Sequence, residues 1–65
     1  MRGYPQMIKF YCSYTYDGNY SITPIFEAFS LSEIHEQAKH ISKVLEVSVT
    51  IILIHGDYEI ASLPL

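Results

Sequence analysis

The sequence predicts an α+β domain of ββαββ form: a four-stranded antiparallel sheet, order 2-1-3-4, with one helix packed on one face. Three observations predict it. Asp17-Gly18-Asn19 and His55-Gly56-Asp57 each separate two strand-like segments, as hairpin turns do. Between the hairpins, Leu31–Glu46 repeats apolar residues at helical spacing. A chain of 65 residues has room for one domain, so hairpins and helix share one core.

Met1–Gln6, with Gly3 and Pro5, reads as an irregular lead-in. Met7–Tyr16 is the first strand. Ile8, Phe10, Cys12, Tyr14 and Tyr16 fall on one side and Lys9, Ser13 and Thr15 on the other, the two-residue period of a pleated strand. Asp-Gly then supplies the positive φ of a tight hairpin. Tyr20–Phe29 is the returning strand. Pro24 cannot donate a ladder hydrogen bond, so this strand lies on an edge or carries a bulge there.

Ser30 and Glu33 form the S-x-x-E capping box, with Phe29 and Ile34 placed as a hydrophobic staple. Leu31, Ile34, Ala38, Ile41 and Leu45 lie within about 80° of one another at roughly 100° per residue, one apolar stripe. Glu36, Lys39, His40 and Lys43 lie opposite it. Glu33 and Glu36 come early and Lys39 and Lys43 late, as the helix dipole favours. Val47–Ile54 is the third strand. It is apolar on both faces, Val49, Ile51 and Leu53 against Ile52 and Ile54, which marks a central position. Tyr58–Leu63 is the last strand, ended by Pro64. Docking the third strand beside the first keeps the sheet antiparallel and leaves Pro24 on an edge.

Composition narrows the functional classes. The net charge is −3, with four Lys and Arg against seven Asp and Glu. Sequence-independent nucleic-acid binding draws on clustered cations, so it is disfavoured. The longest wholly apolar run, Ile51–Ile54, falls far short of the ~20 residues of a membrane span. No apolar leader follows Arg2, and a lone cysteine fits a reducing compartment, so a cytoplasmic location is expected.

Small domains usually need staples. One cysteine cannot form an internal disulfide, and no Cys/His cluster suggests zinc. Hydrophobic residues make up 49% and charged ones 17%, against about 25% charged in typical domains. Self-association or a lasting protein partner is the expectation that remains.

Surfaces left over by the single helix point the same way. Lys9, Tyr11, Ser13, Thr50, Ile52 and Ile54 should line the opposite sheet face, with an apolar side at Tyr11, Ile52 and Ile54. Tyr14, Tyr16 and Tyr20 gather at the first hairpin, and Tyr4 could lie near them. Tyrosine offers rigid apolar area with a polar tip, which suits interfaces. Cross-strand aromatic pairs that brace a hairpin are the first explanation and an interface the second; base stacking comes last, with Lys9 and Arg2 as the only nearby cations. The expected interaction surface is Tyr11, Tyr14, Tyr16, Tyr20, Ile52, Ile54, His55 and Tyr58.

Catalytic chemistry finds little support. Cys12 sits on an apolar strand face, where a thiol acts as a small hydrophobe. A nucleophilic role would need His55 and Asp57 to approach it. Glu36 and His40 have the i,i+4 spacing of helical metal ligands, but with Lys39 and Lys43 they read as a solvated face. The glycines are scattered, so no phosphate-cradling loop is present. No carboxylate pair is placed for acid–base work. No enzyme activity, cofactor or metal is expected.

The hairpin followed by the EAFSLSEIHEQAKHI helix resembles the start of HicB-type antitoxin domains, which also run two strands into an amphipathic helix with an Ala-rich seam. The Pro-Gly turn those domains carry before the helix is absent, as is a DNA-binding tail. The shared feature is ββα patterning, and no residue role is carried over. The functional expectation is a small non-catalytic protein-interaction module, a homodimer, acting as an inhibitor or adaptor of a larger protein of the phage or mobile-element type. The alternative is a small-molecule or nucleotide binder whose Tyr- and His-lined pocket forms at a dimer interface.

Overall fold

The computed structural model describes residues 7–65, so the lead-in and Tyr4 lie outside the described residues. The elements run β1 (Ile8–Tyr16), β2 (Asn19–Ile22), β3 (Phe26–Ala28), α1 (Leu31–Leu45), β4 (Val49–His55) and β5 (Tyr58–Pro64). All pairings are antiparallel, along the path β2-β1-β4-β5, with β3 also bonded to β1. The class is α+β with one helix, and the sheet has five strands rather than the expected four.

The extra strand arises at Pro24, which splits the expected Tyr20–Phe29 strand in two. Thr23 holds the break together. Its backbone N–H donates to the Cys12 carbonyl at 2.9 Å, and its Oγ1 accepts from the Cys12 N–H at 3.0 Å. The same hydroxyl donates to the Pro24 carbonyl at 2.9 Å. Across the break the register on β1 shifts by one residue, from Ser13↔Ile22 to Phe10↔Phe26. That slip exchanges the faces on which even-numbered side chains emerge. Ile22 therefore shares the face of Ser13, while Phe26 turns inward against Phe10, ring centroids 5.6 Å apart.

Both hairpin turns follow from their residues. Asp17 and Gly18 have φ of 53° and 78°, the two positive values of a type I′ turn. In the second turn Gly56 has φ 63° and Asp57 lies outside the positive region, the type II′ pattern with glycine first. Helix α1 starts at Ser30, whose Oγ accepts from the Glu33 N–H at 3.3 Å. It stops one residue earlier than expected because Glu46 takes a left-handed conformation, φ 57° and ψ 48°. There the Val47 N–H donates to the Ser42 carbonyl at 3.2 Å, and the Ser42 hydroxyl donates to the Val47 carbonyl at 2.6 Å.

The helix stands over β4, β1 and β3. Ile34 and Ala38 meet Phe10, Cys12, Ala28, Val49 and Ile51 in a buried core, with Tyr14, Phe26, Ile41, Val47, Leu53 and Leu63 packed around it. Leu31, expected at the start of the apolar stripe, is exposed. It lies in the first turn of the helix, next to the cap, where a stripe defined by angle alone does not fix how far the sheet reaches.

Candidate functional site

The expected surface residues divide between two faces. Tyr11 pairs with Ile52, Lys9 with Ile54 and Thr15 with Tyr20, so Tyr11, Tyr20, Ile52 and Ile54 share the face away from the helix. Tyr14 pairs with Val49 and His55 with Tyr58, and with Tyr16 these belong to the helix side. The two hairpins also sit at opposite ends of the sheet. Tyr16 and Tyr20 lie beside the first turn and His55 and Tyr58 beside the second, at the other end of β4. The structure thus brings together Tyr11, Ile52 and Ile54. It leaves the hairpin tyrosines and the His55–Tyr58 pair as separate patches.

The open face is sealed at its centre. Ile52 is only 6% exposed, although no helix covers it. The Tyr11 hydroxyl donates to the Glu59 carboxylate. Tyr11 is on β1 and Glu59 on β5, with β4 between them, so these side chains span roughly 10 Å of sheet. The bond crosses β4 diagonally, from the position paired with Ile52 to the one paired with Ile54. Accepting by the Glu59 carboxylate raises the Tyr11 pKa above its ordinary 10.0; desolvation and the Glu59 and Tyr20 charges add to it. Lys9 faces Glu27 across β1 and β3 on the same side, an opposite-charge cross-strand pair. Ile54 is half-buried. This face offers less free apolar area than alternation alone suggests.

Cys12 is fully buried, and burial pushes its thiol pKa above 9.0. It pairs with Ile51, while His55 lies four residues further along β4, about 13 Å at strand rise, and is exposed. The structure does not bring them together. Glu36 and His40 line shallow depressions on the helix, one with Lys39, Ser42, Lys43 and Leu65, the other with Phe26, Gln37 and Ile41. Among the described residues no three His, Cys, Asp or Glu gather as a metal would require. Among the same residues no helix is long and apolar enough to cross a membrane.

Exposed apolar side chains collect instead along the two edges. Tyr20, Ile22, Ile25, Phe29 and Leu31 follow the β2/β3 edge to the helix start, and Tyr58, Ile60 and Leu65 belong to the β5 side. Apart from the tyrosines, alternation did not single these out. The register slip at Pro24 and a bulge in β5 decide which side chains are left outside. Comparison with protein-family models, curated proteins and solved structures finds no match.

Proposed function

We propose that this protein is a small non-catalytic protein-interaction module that self-associates and acts on a larger protein as an inhibitor or adaptor. One observation carries the reading. Among the described residues eight hydrophobic side chains are buried, two of them alanines, while eleven large hydrophobic side chains are exposed. The single cysteine cannot form an internal disulfide, and a core this small by itself contributes little. Covering apolar edges with protein supplies the missing burial.

Size-exclusion chromatography with light scattering tests self-association. The expected mass exceeds the 7.5 kDa of one chain at high micromolar concentration. A particle of one chain's mass at every concentration overturns that part of the reading. Partner capture from the native host tests the rest. A specific, stoichiometric protein is expected, and its loss on changing Tyr20 and Tyr58 to Ser would place the contact on the hairpins.

A further inference from the structure

Two registers of β5 on β4 are compatible with the second turn, and the residue at position 64 distinguishes them. The hairpin starts with His55↔Tyr58 and Ile54↔Glu59, skips Ile60, and continues with Leu53↔Ala61, Ile52↔Ser62, Ile51↔Leu63 and Thr50↔Pro64. An unbulged hairpin from the same turn would instead set Leu53 against Ile60, Ile51 against Ser62 and Val49 against Pro64.

Backbone groups along an antiparallel strand turn alternately to its two neighbours. The Leu65 N–H donates to the Val49 carbonyl at 3.1 Å, so Val49, and by alternation Ile51 and Leu53, present their donors and acceptors to β5. In the observed register these three meet Leu65, Leu63 and Ala61, each of which has an N–H. Pro64 faces Thr50, where the nitrogen of an edge strand points away from β4 and needs no hydrogen. In the unbulged register Pro64 would stand opposite Val49. Its ring nitrogen has nothing to donate, and the carbonyl of Val49, a residue only 3% exposed, would lose its partner.

Side chains choose between the registers less sharply. The observed one packs Leu63 against the core and leaves Ile60 63% exposed. The unbulged one would turn Ile60 and Ser62 to the helix side and Leu63 to the open face. Each register buries one branched aliphatic side chain of β5 and releases the other.

We propose that Pro64 is a register lock. Lacking an N–H, it excludes the unbulged pairing, places the extra residue at Ile60, and so keeps Ile60 on the surface and Leu63 against the core. The lock acts within a single chain and does not depend on self-association.

Amide hydrogen exchange read residue by residue by NMR distinguishes the registers, because each bonds a different alternate set of β5 amides to β4. In the wild type, Ala61 and Leu63 should be protected at least about tenfold more than Ser62. Protection of Ser62 above Leu63 overturns the register itself. Ser62→Val gives the unbulged register an apolar side chain against Ile51, yet should leave the pattern unchanged while Pro64 is present. Ser62→Val combined with Pro64→Ala should invert it, protecting positions 60 and 62 over Ala61 and Leu63. A double variant that keeps the wild-type pattern overturns the lock, because packing then holds the register without the proline. Inversion by Ser62→Val alone overturns it too, since the proline then excludes nothing. If the double variant fails to fold, Pro64→Ala alone decides. Relaxation dispersion should then show residues 60–64 exchanging with a minor state of about 1–10% that the wild type lacks. Profiles identical to those of the wild type overturn the proposal.

Discussion

At the scale of single residues, three side chains carry most of what is specific here. Tyr11 closes the open face through Glu59, and its raised pKa gives the contact a pH dependence. Because the folded state holds the phenol neutral, the contact contributes fully below pH 10.0, the ordinary tyrosine value, and is lost as pH rises through the higher folded value. Ultraviolet titration of phenolate should show one tyrosine ionising late, and Tyr11→Phe should remove that component.

Cys12, fully buried with a raised pKa, should label orders of magnitude more slowly in native than in denatured protein. Labelling at equal rates would contradict its placement. Glu46 sits in the left-handed region, φ 57°, and puts a negative charge at a helix C-terminus. Glu46→Gly removes both penalties and should stabilise the fold by about 1 kcal/mol in urea denaturation. Of the three, the sequence pointed only to the burial of Cys12. Tyr11's reach across β4 to Glu59 is a diagonal crossing between strands that are not neighbours, which alternation cannot report.

Among the elements, the helix and both hairpins were legible because each rests on local chemistry. Ser30 and Glu33 marked the helix start, and the Ser30 Oγ does accept from the Glu33 N–H. Ser30→Ala should cost roughly 1 kcal/mol in the same denaturation experiment. Asp17-Gly18 and Gly56-Asp57 took the primed turns their residues favour. Pro24 signalled an edge or bulge, and the structure extends this to a full break. What stayed hidden is its consequence for register. One inserted residue turns Phe26 into the core and leaves Ile22 outside, although both are even-numbered. The bulge has no Gly or Pro at Ile60 to announce it and was not legible. Thus the assignment of apolar residues to faces succeeded in β1 and β4, which are regular on their common register, and was incomplete beyond them.

For the whole molecule, the balance between buried and exposed apolar surface is the main issue. The candidate surface expected from the sequence was centred on the open face, at Ile52 and Ile54. The structure finds Ile52 already covered and Ile54 half-buried, and moves the exposed apolar side chains to the edges. Lysine at Ile52 would bury an unpaired charge and unfold the chain rather than report on association. Exposed Ile60 and Ile22 are the informative positions. If a second copy completes the burial of this domain, folding and association are one equilibrium. Thermal unfolding followed by circular dichroism across a hundredfold range of protein concentration measures that coupling directly. The midpoint is expected to rise with concentration; a reversible transition with the same midpoint throughout the range overturns the coupling of folding to self-association.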